Sequence, residues 1–81
     1  MDRDRARSIV RGALEEIAPD VALDDVDASS PFAEEADLDS MDLLSLAEAI
    51  HAATGVDVGA GDLPPRWSLD ALLDHLAAHA T

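Results

Sequence analysis

Apolar residues recur at helical spacing in three separate segments of this 81-residue chain. Within each segment they fall three or four positions apart, which places them on one side of an amphipathic helix. The segments run over residues 2–17, 40–54 and 69–80. Gly55 stands where the second helix is expected to end, and Ser68 stands where the third needs a cap. The predicted buried stripes are, in chain order, Ala6, Val10, Ala13, Leu14 and Ile17; Leu43, Leu46, Ala47, Ile50 and Thr54; and Leu69, Leu72, Leu73, Leu76 and Ala80.

The connection between the first two helices, residues 18–39, is unusually long. A loop of that length in a small domain is expected only where it is functional or anchored. Its apolar residues Val21, Leu23, Val26 and Phe32 are spaced along it and are expected to pin it across the core. A later Gly- and Pro-rich stretch leaves room for one short helical turn near 60–63. We therefore predict a single all-α domain over residues 1–81, a small antiparallel bundle with three main helices, one short helix and a long first loop.

Composition narrows the classes of partner. The chain has 18 Asp and Glu residues against five Arg and no Lys, a formal net charge of −13. Such a surface repels phosphate backbones and anionic lipids, so we expect neither nucleic acid nor membrane as a partner, and basic proteins instead. There is no cysteine, hence no disulfide, thiolate metal site or redox motif from the chain itself. No signal-peptide pattern and no membrane-length apolar run are seen, so a cytoplasmic protein is expected. We also expect it to be a monomer.

One serine lies in a crowd of carboxylates at the start of the second predicted helix. In "EADLDSMDLLSLAEAI", Ser40 is surrounded by Asp37, Asp39 and Asp42. The simplest interpretation is a helix cap, in which Asp39 or Ser40 accepts a hydrogen bond from a free backbone N–H and the early acids favour the helix dipole. A cap alone does not explain which apolar residues remain outside the core.

A calcium loop is the second interpretation. Counting from Asp37, Asp39 falls at position 3 and Glu48 at position 12, as in an EF-hand. Position 5 is Met41, however, and position 6 is Asp42, where the sharp turn needs glycine. No metal site is therefore predicted here.

The third interpretation is that Ser40 is the nucleophile of a hydrolase. It needs a base such as histidine within reach and donors for an oxyanion, whereas carboxylates around Ser40 oppose developing negative charge. His51, His75 and His79 are all distant from it in sequence. His75 and His79 are four residues apart and could bind one metal ion together, but the sequence indicates no third ligand. Their favourable interaction with the C-terminal end of a helix dipole explains them instead. We predict no catalytic residue.

The fourth interpretation is an attachment point with a docking face beside it. On a helical projection, Met41 and Leu44 lie off the buried stripe, roughly 100–200° away from it, next to Ser40. Two large apolar side chains ringed by acids suit a protein contact with an electrostatic rim. The alternative is that Leu44 packs under the long loop as core. The expected partner-binding residues are Met41, Asp42, Leu44 and Glu48, and Asp39 is expected to belong with Ser40 to the site that holds the attached group.

The residues "DLDSMDLLSLAEAIHAATGVDV" resemble the acyl carrier protein family, whose hallmark is Asp-Ser-Leu or Asp-Ser-Met opening the second helix. "SSPFAEEADLDSMD", "TGVDV" and "WSLDALLDHL" are similar to the family's segments before and after that helix and to its last helix. The resemblance implies that a phosphopantetheinyl transferase moves 4′-phosphopantetheine from coenzyme A onto Ser40. It further implies that the arm's thiol carries acyl groups as thioesters, and that the acids are read by basic patches on acyl-loading, acyl-transfer or condensing enzymes.

Several positions depart from the family pattern. Glycine is common two or three residues before the serine, where Leu38 and Asp37 stand here. The family often has Glu where Ser45 stands, an apolar residue where Glu48 stands, and acids in place of His51 and Ala52. The partner face therefore differs from that of a housekeeping fatty-acid carrier. A free-standing carrier of a specialised pathway is the preferred interpretation, a peptidyl carrier is the alternative within the family, and an acidic helical adaptor is the alternative outside it.

Overall fold

The computed structural model describes residues 1–56, 58 and 67–79. Its α-helices are α1 (Arg3–Ile17), α2 (Phe32–Glu35), α3 (Ser40–Thr54) and α4 (Leu69–His79), and a 3-10 helix covers Leu23–Asp25. The first helix packs against both α3 and α4. No strand occurs among the described residues, so the predicted small all-α bundle is confirmed. None of the helices in these ranges is long and apolar enough to cross a membrane. The helical turn predicted near 60–63 lies outside the described residues.

The predicted helix boundaries hold because the residues at them make the expected hydrogen bonds. Gly55 ends α3 in the left-handed conformation, with φ 77°, and its N–H donates to the His51 carbonyl at 2.7 Å. That backbone conformation is available to glycine at little steric cost. At the start of α4, the Ser68 hydroxyl accepts a hydrogen bond from the Ala71 N–H at 3.1 Å, which is the predicted cap.

The core is mainly aliphatic, and α1 and α4 each contribute four buried side chains to it. Its largest fully buried side chains are Val10, Leu14, Leu23, Phe32, Leu46, Ile50, Leu69, Leu72 and Leu76. The stripes predicted on α1 and α4 are buried except for Ile17, which is half-buried, and Ala80, which is outside the described residues. On α3 only Leu46 and Ile50 are fully buried. The other members of that stripe, Leu43, Ala47 and Thr54, are half-buried.

The long first loop is anchored as predicted. Leu23 and Phe32 are fully buried, while Val21 and Val26 are half-buried against the core. The loop is not structureless, however, because it contains the 3-10 helix and α2. Neither short helix was predicted, since a segment of three or four residues is too short to show a periodic pattern.

Backbone hydrogen bonds also join this loop to the start of α4. The Phe32 N–H donates to the Trp67 carbonyl at 3.0 Å, and the Asp70 N–H donates to the Ala28 carbonyl at 3.0 Å. Between them, Pro31 and Ser68 form an isolated antiparallel bridge. The segment that leads to Ser40 is thereby held against the last helix rather than left free.

Arginines of α1 pair with acids on the loop and on α4. Arg7 and Arg11 both donate to the Asp24 carboxylate, at 2.9 and 2.8 Å. Arg3 donates to Asp70 at 2.9 Å. All of these are surface ion pairs, so each contributes little by itself. Together they bring positive charge next to acids of the loop and α4, which offsets part of the repulsion in a chain of net charge −13.

Candidate functional site

Ser40 is the first residue of α3 and is exposed. The residue before it, Asp39, is extended (φ −87°, ψ −179°), and its carboxylate accepts a hydrogen bond from the Asp42 N–H at 2.8 Å. The sequence left two residues open as the cap, and the structure assigns the role to Asp39. As a result the Ser40 hydroxyl is not used in capping, and no described residue hydrogen-bonds to it.

Free backbone donors lie next to that hydroxyl. The first N–H groups of a helix have no intrahelical acceptor. In α3 the cap takes the Asp42 N–H, and the Leu43 N–H donates to the Asp39 carbonyl at 3.0 Å. The N–H groups of Ser40 and Met41 are bonded to no described residue. These donors and the positive end of the helix dipole suit a phosphodiester, so the residues present fit a phosphopantetheine group on Ser40.

A tight turn delivers the chain from α2 to this site. After Ala36, the buried C-cap residue of α2, Asp37 adopts the left-handed conformation with φ 54°. The Leu38 N–H then donates back to the Ala33 carbonyl at 2.9 Å, and Leu38 packs against the core. This is the Schellman arrangement, in which the left-handed residue is usually glycine.

The left-handed conformation of Asp37 was not predicted from the sequence. The available signal was the glycine that the carrier family often has two or three residues before the serine. That glycine is explained if the position requires positive φ, because glycine adopts such angles without a steric penalty. Asp37 is the described non-glycine residue with positive φ.

Beside Ser40, α3 exposes two large apolar side chains. Met41 is 76 % exposed and Leu44 is 60 % exposed. Leu44 is thus not covered by the long loop, and the alternative that made it a core residue is wrong. Glu48 is also exposed, and Asp42 is half-buried. The structure therefore presents these residues on a free surface of one helix, which is a geometric requirement for docking.

Other interpretations of the stretch do not fit the backbone. An EF-hand loop over 37–48 cannot form, because α3 is a continuous helix from Ser40 onward. His51 lies eleven residues along the same helix, about 16 Å from Ser40 at 1.5 Å per residue, too far for a base. The rings of His75 and His79 lie 4.4 Å apart on α4. In the described parts of the chain, no three potential ligands come together for a metal ion.

Comparison with known proteins agrees with the geometry. The profile of a family described as the phosphopantetheine attachment site matches residues 7–76, which is most of the chain. Comparison with curated proteins found no match, and comparison with solved structures found none either. The chain belongs to the phosphopantetheine attachment family, and it is a carrier protein whose prosthetic group is covalently attached 4′-phosphopantetheine.

Proposed function

We propose that this protein is an acyl carrier, that Ser40 is the attachment residue, and that partner enzymes of fatty-acid, polyketide or related specialised biosynthesis load and unload it. The observation that supports this most directly is the position of Ser40. Its hydroxyl is exposed at the start of a 15-residue helix, and the cap beside it is supplied by a different residue, Asp39. A hydroxyl left free in this way is accessible to a transferase.

The chain's own contribution to modification is to hold the Ser40 hydroxyl where a transferase can reach it. Asp39 fixes the start of α3 through its 2.8 Å hydrogen bond, and the adjacent N–H groups offer donors to an incoming phosphate. On transfer, a bond would form between the Ser40 oxygen and the phosphorus that carries the pantetheine. The pyrophosphate bond of coenzyme A would break with adenosine 3′,5′-bisphosphate as the leaving group, and the hydroxyl proton would pass to a base of the transferase. When bound, the group supplies the thiol that holds acyl cargo as a thioester, a thiol that a chain without cysteine lacks. The reactions on the cargo are left to partner enzymes, so the protein itself is not an enzyme.

The partners dock on the surface next to Ser40. Met41 and Leu44 supply apolar contacts, and the rim charges are those of Asp39, Asp42 and Glu48. Opposite charge on a partner accelerates encounter, while desolvated apolar contacts slow dissociation. We expect the transferase and the acyl-loading, acyl-transfer or condensing enzymes to present basic patches to this face.

The test is covalent loading followed by mass measurement. Incubation with coenzyme A, magnesium and a broad-specificity phosphopantetheinyl transferase should add one phosphopantetheine. The Ser40→Ala variant should gain nothing. Ser45→Ala is the matched control, since Ser45 is an exposed serine on the same helix, and this variant should be loaded normally. Absence of a mass gain, or a gain that persists in Ser40→Ala, would contradict the proposal and favour an acidic adaptor.

A peptidyl or aminoacyl carrier remains the alternative within the family, favoured by the departures at Ser45, His51 and Ala52 from the fatty-acid pattern. Acyl and aminoacyl groups use the same thiol, so loading with coenzyme A alone does not separate them. Incubating the loaded protein with an acyltransferase and, separately, with an amino-acid-activating enzyme distinguishes the two. An acyl carrier should be charged by the first and ignored by the second.

A further inference from the structure

We infer that Asp37 is a positioning residue for Ser40: its left-handed backbone conformation, rather than its charge, sets where the attachment hydroxyl stands. The inference rests on the proposed function, because it concerns the presentation of Ser40 to the transferase. The observation behind it is the φ of Asp37, 54°, three positions before the serine. Residues other than glycine rarely adopt positive φ.

The surroundings of Asp37 leave the turn little freedom. On one side Ala36 is 2 % exposed and closes α2 through its N–H, which donates to the Phe32 carbonyl at 2.9 Å. On the other side Leu38 packs against the core and donates its N–H to the Ala33 carbonyl at 2.9 Å. Two anchored residues are therefore joined by one residue, whose dihedral angles determine the direction of the chain between them.

The position of Ser40 follows from that direction. Only Leu38 and the cap, Asp39, separate the turn from the hydroxyl. If Asp37 moved to negative φ, Leu38 would leave its place on the core or the Asp39 cap would shift. Either movement displaces the start of α3. Transfer to a hydroxyl is sensitive to such a displacement, since errors of about 1 Å can cost on the order of a hundredfold in rate.

Aspartate is a residue that tolerates this conformation, because its short polar side chain can hydrogen-bond locally. Glycine and asparagine also tolerate it, whereas a β-branched residue does not. This ranking separates conformation from charge. Asp37→Gly and Asp37→Asn remove the carboxylate and keep the turn, while Asp37→Val removes both.

The opposite end of the same helix offers a matched control. Gly55 also has positive φ, 77°, and a Cβ atom added there would meet nothing within 4 Å. Gly55→Val therefore strains the backbone at a position with open space around its Cβ, at the end of α3 remote from Ser40. Both valine variants should melt at lower temperature than the unsubstituted protein. Only Asp37→Val should alter the modification of Ser40.

The experiment measures kcat and KM for transfer of phosphopantetheine from coenzyme A, well below the melting temperature of every variant. We expect Asp37→Val to lose on the order of tenfold or more in kcat, and Gly55→Val, Asp37→Asn and Asp37→Gly to stay within about twofold. Amide exchange gives a readout that does not depend on the transferase. The exchange rate of the Leu38 N–H should rise in Asp37→Val and should stay as in the unsubstituted protein in Gly55→Val.

The outcomes separate this inference from the function on which it rests. If the unsubstituted protein is not modified, the proposed function fails. If it is modified and Asp37→Val keeps its kcat while melting as low as Gly55→Val, the positioning role is wrong. An equal loss of kcat in the asparagine, glycine and valine variants would also overturn it, because the carboxylate would then be what matters.

Discussion

The rings of Phe32 and Trp67 stack with their centroids 5.4 Å apart and their planes 19° from parallel. They are the chain's only aromatic residues apart from its histidines. Phe32 begins α2 in the long loop, and Trp67 precedes α4. The Phe32 N–H also donates to the Trp67 carbonyl, so backbone and rings join the same two segments. The loop that precedes Ser40 is thus joined to the start of the last helix by an aromatic pair as well as by backbone hydrogen bonds.

Removal of the Phe32 ring should therefore destabilise the whole domain. Phe32 is fully buried, and truncation of such a residue leaves a cavity as well as losing the stacking contact. We expect Phe32→Ala to lower the free energy of unfolding by about 3–5 kcal/mol, and Phe32→Leu to cost less. Urea unfolding followed by circular dichroism measures both. A loss below about 1 kcal/mol in the alanine variant would show that the site collapses around the missing ring.

The pairing of Asp24 with two arginines predicts a pH-dependent contribution to stability. Hydrogen bonds from Arg7 and then Arg11, together with their positive charge, lower the pKa of Asp24 below its ordinary value of 3.8. A lowered folded-state pKa means that the contribution is present above pH 3.8 and disappears as the pH falls through the folded pKa. Asp24→Asn removes it and leaves Arg7 and Arg11, one helical turn apart, to repel each other.

Thermal melts across pH 2–7 test this. The difference in melting temperature between the unsubstituted protein and Asp24→Asn should be small but present near pH 7 and should vanish at the acid end. Asp20→Asn is the control, because Asp20 is another exposed acid of the same loop that has no ion pair among the described residues. Identical pH profiles for the two variants would show that the arginine pairs contribute nothing specific.

Salt should raise the melting temperature. A net charge of −13 on 81 residues destabilises the compact state through self-repulsion. Salt also weakens the ion pairs of α1, but the 18 acids outnumber the five arginines, so screening of repulsion should prevail. Raising the ionic strength to a physiological level, where the Debye length is about 8 Å, should produce most of the increase. A melting temperature that is flat or falls with sodium chloride would show that the ion pairs outweigh the repulsion.

Helices with strong periodicity were predictable from the sequence, and the predicted attachment residue lies at the start of one of them. The segment from Ser40 to Thr54 has its start marked by acids and its end by Gly55, and the structure gives the same bounds. The exposure of Leu44 also followed from its angle to the buried stripe. Such features depend on local geometry, which the spacing of residues determines.

Features that depend on distant residues were not predictable. Nothing in the local pattern says that Phe32 and Trp67 stack, since they are 35 positions apart and meet only once the bundle forms. The pairing of Arg3 with Asp70 and Asp74 on α4 likewise joins residues that are distant in the chain. The choice of Asp39 rather than Ser40 as cap was also open, because both residue types serve equally well.

Two leucines of α3 provide the sharpest test of the docking face. Leu44 is 60 % exposed, whereas Leu46, two residues later, is fully buried. Leu46→Ala should therefore cost about 2–5 kcal/mol of stability through lost burial and a residual cavity. Leu44→Ala should leave the melt nearly unchanged, because its side chain already faces water. The same substitution on one helix thus separates a surface role from a core role.

The effects of the two substitutions on the rate of modification should be the reverse of their effects on stability. Below the melting temperature of both variants, Leu44→Ala should slow the modification of Ser40 and the later transfer of cargo, mainly through faster dissociation of the partner. Leu46→Ala should be modified at the normal rate once its folded fraction is taken into account. Neutralising the rim with Glu48→Gln should instead lower the association rate and weaken its dependence on salt, as rim charges do. If Leu44→Ala melts normally and is loaded and acylated at wild-type rates, Leu44 has no part in docking, and the exposed apolar surface beside Ser40 needs another explanation.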